Sequence, residues 1–484
     1  MVGAISGMRV LTWLHRWWGV LFCLLFAMWF ASGIVMRFVP FPSRSEGDRF
    51  AALFPIDPAG VVHGPAEAIA KSGVAGVLRV RLIGRRDGPI YLISGVSAER
   101  ALRASDLADG RVCSEPTALE IATGYARSRG LDASRAHVTG LIALDQWSVS
   151  GEFDSDRPLY RVALDDGSGT ELYVASTTGD VVLLTTQKAR ALNYLGSVAH
   201  WLYPTALRQH RLAWSALMWW LSLVAMIGAG LGVVAGLARL SRRGRRATPV
   251  YRGLQAWHHY LGLVFAPFIL GWIFSGFLSM DDGRSSSSTT VRGDALSLAG
   301  PPAWGLLPPD EMQHLVATSK EIEWFALAGR IYRRERTGPR EQRLALAVPD
   351  TGVAPDVRAF LRGDEIESAA RQLGGDCAPA AAAAPDDAKP ALRKAPVFRI
   401  ICGNIWYEID GSTGALLNRL DPPGRAYRWL FGRLHTFDFP ALQSRPMLRA
   451  TIIIALCLGG LAFSLSGVVL AWRRLRTSAG KVFK

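Results

Sequence analysis

"WLHRWWGVLF", residues 13–22, returns 243 positions later as "AWHHYLGLVF", residues 256–265. His15 falls on His258, Gly19 on Gly262 and Phe22 on Phe265, and the match continues through Trp29 on Trp272, Ser32 on Ser275 and Gly33 on Gly276. Each copy opens an apolar run with a titratable ring. The chain therefore reads as a tandem duplication, with the histidine as the feature to explain.

The runs that follow set the fold class. Of 484 residues half are hydrophobic, 16 are tryptophan, and the formal charge is +15. Four uncharged stretches, Trp17 to Met36, Leu212 to Ala238, Tyr260 to Met280 and Ala450 to Trp472, meet the length of about 20 residues needed to span a bilayer. The first is too long for a signal-peptide core, has no clear A-x-A site before Pro40 and resembles the third, so it is expected to be retained.

Arg239, Arg242, Arg243, Arg245, Arg246 and Arg252 lie between the second and third spans with no acid among them. By the positive-inside rule that segment is cytoplasmic, and so are the N-terminus with Arg9 and Arg16 and the tail with Arg473, Arg474, Arg476, Lys481 and Lys484. The basic balance is thus a topology signal, and no nucleic-acid-binding motif accompanies it. The chain then reads as multi-pass with its long connections on the outer side, which for a bacterial inner membrane is the periplasm.

The predicted segments are 1–39 (N-terminal segment and first span), 40–211 (first outer domain), 212–238, 239–257 (basic cytoplasmic loop), 258–280, 281–449 (second outer domain, with a low-complexity insertion at 377–396), 450–472 and 473–484. Each outer segment is long enough for a domain of about 100–150 residues. A second offset, 235, relates the other elements: Thr178-Gly179 to Thr413-Gly414, His200 to His435, Gly232 to Gly467, and Val233-Val234 to Val468-Val469. The two halves have parallel topology, so a pseudo-two-fold axis along the membrane normal should place equivalent residues at equal depth.

The outer segments read as α+β. "YRVALDD", "ELYVAST" and "GDVVLLT" alternate as a strand meander, "TALEIATGYARSRG" is an amphipathic helix closed by glycine, and "VFRIICGNIWYEIDGSTGALLNRL" repeats the meander. "CAPAAAAAPDDAKPALRKAP" and "RSSSSTT" read as mobile loops. Cys113 stands alone in the first outer segment, while Cys377 and Cys402 share the second and could pair. Cys23 and Cys457 lie within spans as small apolar residues.

His15 and His258 belong near the cytoplasmic surface, His200 and His435 near the periplasmic one. Imidazole at the edge of hydrocarbon is costly and usually partnered. A haem iron takes two axial imidazoles, and a helical bundle can hold the macrocycle where small residues make room. Gly19 and Gly262, one turn beyond the first pair, are the expected source of that room. A hydrocarbon core roughly 30 Å thick separates the pairs, so ligation should join His15 with His258 and His200 with His435, giving two b-type haems and an electron path across the bilayer. The plainer alternative places the same histidines in an aromatic belt beside Trp13, Trp17, Trp18, Trp201, Trp257 and Trp429.

His210 and His259 are weaker candidates because their counterparts are Arg445 and Arg16. His63, His137 and His314 read as surface or local structural residues, and Asp165, Asp166, Asp281 and Asp282 as solvated turn acids. "GAGLGVVAG" sits inside a span without a preceding strand, so Gly228, Gly232 and Gly236 read as a helix-packing stripe. No catalytic residue is assigned, and nothing resembles a site for NAD(P)H or flavin.

With its duplication, the "LHRWWG" and "WHHYLG" openings, the "STTGDVV" and "DGSTGALL" turns and "LHTF" before a span ending in "SGVVLAW", the chain resembles the PepSY-associated transmembrane family across nearly its whole length. That family includes iron-regulated inner-membrane proteins, some of them haem-containing siderophore reductases. The resemblance implies two periplasmic α+β PepSY-like domains on four transmembrane helices, haem b held by His15, His258 and His435, and reduction of ferric-siderophore iron to Fe(II). His200, in "AHWLYP", departs from the leucine-histidine pattern. Electrons would come from a quinol or a cytoplasmic reductase. Two other functions remain open: a membrane anchor whose PepSY domains bind a periplasmic peptidase or another protein, and an accessory subunit of a metal or siderophore transporter.

Overall fold

The computed structural model describes residues 2–96, 98–112, 114–243, 246–249, 251–280, 288–308, 316–348, 356–374, 376–377, 381–382 and 395–482. His314, Cys113, Asp281, Asp282 and most of the 377–396 insertion lie outside them, as does the centre of "RSSSSTT". The chain forms two compact units, a helical one from Met1–Phe41, Lys188–Arg284 and Arg425–Lys484, and a β-rich one from Pro42–Gln187 and Ser285–Gly424.

Four long helices build the helical unit: α1 (Val2–Phe38), α2 (Arg211–Ala238), α3 (Leu254–Ser279) and α4 (Pro446–Val482). Each carries an apolar span of at least 26 residues whose most apolar 18-residue window has a mean hydropathy of 2.0 or more, and at 1.5 Å per residue each span exceeds the roughly 30 Å of a bilayer core. This is the architecture of a multi-pass membrane protein. Phe22, Phe30, Ala225, Ile269, Ile273 and Cys457 form its buried centre. Glycines let large rings enter between helices: a β-carbon on Gly228 would meet Trp18, one on Gly459 would meet Phe265, and one on Gly460 would meet Phe30. Gly228, Gly232 and Gly236 thus seat Trp18, His15 and Leu263 respectively. The stripe receives side chains.

Strands β1 (Val77–Ile83), β2 (Ile90–Gly95), β3 (Glu99–Arg103), β4 (His137–Ile142), β5 (Leu159–Ala163), β6 (Glu171–Ala175) and β7 (Val181–Thr185) come from the first half. A short hairpin, β8 (Leu240–Arg243) and β9 (Arg246–Pro249), joins α2 to α3. The second half supplies β10 (Glu321–Leu327), β11 (Arg330–Arg336), β12 (Gln342–Leu346), β13 (Ala381–Ala382), β14 (Val397–Cys402), β15 (Ile405–Asp410) and β16 (Leu416–Leu420). Two four-stranded sheets, β4-β5-β6-β7 and β13-β14-β15-β16, carry the expected meanders. The helix Glu115–Ser128 packs on the first of them, its N-terminus capped by Ser114.

The third sheet alters the expected division into two outer domains. Its order is β12-β11-β10-β1-β2-β3, two three-stranded meanders fused antiparallel through their first strands, with Arg81 opposite Glu323. Both halves therefore share one sheet and one unit. The charges that alternate along "VLRVRLI" and "EIEWFAL" suggest solvent-facing edges, yet they neutralise one another inside. Arg49 bonds Glu321 at 2.7 Å, Arg81 lies 3.6 Å from both Glu321 and Asp180, and Arg334 pairs with Glu323. Burial alone would raise the Glu321 carboxyl, but Arg49, Arg81, Arg336 and Arg334 hold it well below the usual range. Cys377 and Cys402 form a disulfide beside β14.

The segment boundaries shift as well. Residues 188–210 and 425–449 belong with the long helices, and α1 and α4 continue well past the apolar runs that mark them in the sequence.

Candidate functional site

His200 and His435 are positioned by the same sequence of devices in each half. A π-helical turn, Tyr194–Val198 in one case and Phe431–His435 in the other, leads to the ring. Two residues beyond, Leu202 and Phe437 adopt φ of 46° and 55°, a region that non-glycine residues rarely occupy and that persists where the surrounding structure demands it. The Trp29 and Trp272 indoles donate to the carbonyls of His200 and His435, each at 3.0 Å. β-Carbons on Gly33 and Gly276 would each lie 3.8 Å from the nearby imidazole Cε1.

The serines fix the tautomer. Ser32 Oγ donates to the Met28 carbonyl at 2.6 Å and also lies 3.0 Å from His200 Nδ1. A hydroxyl has one proton; with it committed to the carbonyl, Nδ1 must be the donor and Nε2 keeps its lone pair. Ser275 repeats this on the Gly271 carbonyl at 2.7 Å and His435 Nδ1 at 3.0 Å. Among the described residues neither Nε2 has a hydrogen-bond partner. The ring centres stand 6.4 Å apart with planes at 83°.

His15 and His258 line a single cavity of about 670 Å³ formed by α1, α2, α3, α4 and the turn before α3, within the range of about 300–1,000 Å³ common for cofactor sites. His15 packs on Gly232, where a β-carbon would come within 2.6 Å of Cε1; His258 packs on Gly467, where it would come within 3.4 Å. Ser466 donates to the Phe463 carbonyl at 2.6 Å and meets His258 Nδ1 at 2.8 Å, so His258 Nε2 also keeps its lone pair and has no hydrogen-bond partner among the described residues. Arg16, Arg252, Arg473 and Arg474 line the cavity, and none has an acidic partner among the described residues.

These residues suit a haem. Imidazole nitrogens bind transition metals at about 2.0–2.1 Å, so two rings across one metal stand with centres roughly 6.3 Å apart. The bare Nε2 atoms are the ligating kind, each oriented by a hydroxyl on its other nitrogen. The His15/His258 cavity adds apolar walls and guanidinium groups without acidic partners among the described residues, which would neutralise two propionates. No group of three or more His, Cys, Asp or Glu among the described residues is arranged to hold a bare metal ion; axial haem ligation requires only two imidazoles.

The other candidates separate from these pairs. Gly19 and Gly262 line the cavity, but only Gly19 faces open space, since Phe463 comes within 3.0 Å of a β-carbon at Gly262. His259 lies on the cavity wall, yet its Nε2 donates to the Gly236 carbonyl at 2.8 Å and is thereby occupied. His210 is exposed at the start of α2. His63 pairs with Glu67 at 2.6 Å and His137 with Asp165 at 3.2 Å, both on the β-rich unit. The seats and hydroxyls, Gly232, Gly467, Ser32 and Ser275, are all positions matched by the duplication. Their pairing across halves is the signal for them; Ser466 has none.

The β-rich unit has its own concavity of about 730 Å³, where Lys71, Arg79, Arg100, Arg111 and Arg292 outnumber Glu99 and Asp109. Lys71 and Arg292 have no acidic partner among the described residues, and Arg100 acts on Asp109 without forming an ion pair.

No protein-family model matches the chain, and no curated protein matches it in sequence.

Proposed function

We propose that the chain is a bacterial inner-membrane b-type di-haem oxidoreductase that passes electrons across the bilayer to reduce periplasmic ferric-siderophore iron to Fe(II). The observation that carries the reading is the His200/His435 pair, two rings from separate halves at metal-bridging separation, each with its tautomer set by a serine. His15 and His258 would hold the second haem in the cavity with the unpaired arginines. The group supplies one-electron transfer when bound. The chain's residues orient the ligands, exclude water through rings such as Trp29, Trp272 and Phe463, and balance anionic charge.

The substrate class follows from charge and hardness. Fe(III) is held by anionic oxygen chelators and Fe(II) less firmly, so reduction leads to release. An anionic chelate suits the basic concavity around Lys71, Arg100 and Arg292. Electrons would enter from a quinol or a cytoplasmic reductase.

The test is the reduced-minus-oxidised spectrum of detergent-purified protein with a pyridine haemochrome count. Two b-type haems per chain, with separable parts lost in His15→Ala and His435→Ala, support the reading. A haem-free protein made with ample haem supply sinks it and favours the anchor alternative, in which all four histidines tolerate substitution.

A further inference from the structure

The duplication provides an internal control on ligand environment. Three of the four paired histidines, His200, His258 and His435, have a serine hydroxyl on Nδ1. His15 does not. Its Nδ1 is buried and closes no hydrogen bond, although the Gly228 carbonyl is within electrostatic reach. The cause is in the sequence: at the offset of 235 that places Gly232 on Gly467, Ser466 falls on Leu231.

A second difference has a separate origin. Phe463 stacks on His258, with centres 4.6 Å apart and planes at 21°. The equivalent of Phe463 is Gly228, whose open side is filled by Trp18. His258 is thus held by a hydroxyl and a stacked ring. His15 has neither; it is held by its close fit to the Gly232 backbone and a weak approach to the Gly228 carbonyl.

We propose, resting on the haem reading above, that His15 is the exchangeable ligand of its pair and that the position it vacates takes a small neutral ligand of the carbon monoxide class. A hydrogen bond on the far nitrogen raises the basicity of a ligating imidazole and fixes its direction, and removing such a partner typically weakens metal affinity by about 10- to 100-fold. With haem bound, the exchange would replace one neutral two-electron donor, the His15 imidazole, by another at constant oxidation state, while His258 would keep its hold on the group. The serine-locked His200/His435 pair resists the same exchange.

The experiment is carbon monoxide titration of dithionite-reduced, full-length protein whose haem content has first been counted. With two haems present, one of them should form the carbon monoxide complex. Leu231→Ser, which supplies the missing hydroxyl, should slow or weaken its formation by about tenfold, while Ser466→Leu should speed it. Two haems with no complex in the wild type, or a complex formed equally well in both variants, overturns the proposal and leaves the haem reading intact. Reaction at the His200/His435 haem, seen as survival of the full complex in His15→Ala and its loss in His435→Ala, also overturns it. A haem-free protein overturns the reading and the proposal together.

Discussion

His200 and His435, one from each half of the chain, meet with ring centres 6.4 Å apart and planes 83° from one another. Their Nδ1 atoms both end on serines, Ser32 and Ser275, at 3.0 Å. The ring orientation is thus determined from outside the histidines.

Ser32→Ala and Ser275→Ala should each free an imidazole to rotate and to exchange tautomer. Loss of such an orienting partner costs about 10- to 100-fold in metal affinity. Haem content after purification at limiting haem should fall at the His200/His435 site in both variants, while the His15/His258 site keeps its signal. Equal haem occupancy in Ser275→Ala and the wild type would remove the serine from this role.

The glycine seats should differ in tolerance. Gly232→Ala drives a methyl to 2.6 Å from the His15 ring, whereas Gly467→Ala approaches His258 only to 3.4 Å, an ordinary contact. On the proposed haem reading, the first variant should lose the haem held by His15 and His258, and the second should retain most of it. Haemochrome counts on the two proteins decide the matter; matching losses would show that the seats are equivalent.

Asp156 in the β-rich unit is buried with Arg44 at 3.0 Å. Burial, opposed by Arg44 and reinforced by Asp180, lifts its carboxyl to about 6. A folded-state value above the unfolded one favours the protonated form, so this group's stabilising contribution is complete below about 4 and lost as pH rises through about 6. Thermal unfolding of the full chain should show a gain from this group between pH 7 and pH 4, worth at most about 3 kcal/mol. Asp156→Asn should flatten that part of the profile, and an unchanged profile would assign it elsewhere.

The Cys377–Cys402 disulfide reports on topology. Such bonds persist in oxidising compartments and are rare in reducing ones. If the long connections are periplasmic, rapid alkylation of intact cells should leave both cysteines unlabelled until a reductant is added. Free thiols at both positions under those conditions would place the β-rich unit on the cytoplasmic side.

Much of the helical unit was readable because hydrocarbon admits few solutions. Four apolar runs announce four helices, and equal depth brings His200 beside His435 and His15 to the same cavity as His258. The hydroxyls were visible as matched positions without a role, since whether Ser32 faces an imidazole depends on a π-helical turn for which residue types give no sign. Gly262 was misleading because Phe463, nearly 200 residues later, fills its space. The fused sheet was the least legible element. Arg81 and Glu323 each look solvent-facing within their own strands, and their burial is compensated by ion pairs both within a half, Arg81 with Asp180 and Arg334 with Glu323, and across the seam, Arg81 with Glu321.

That fused sheet bears on how a protein of this design could have arisen. A half-length chain would leave β1 as an open edge with Arg81 facing Asp180 but without Glu321, and its best partner would be the same strand of another copy. The β1–β10 seam is the surface through which two such half-length copies would pair as a dimer. Joining replaced an encounter between molecules with a tethered one at high effective concentration. It also lets the two sides differ, so that Leu231 stands beside one histidine and Ser466 beside the other.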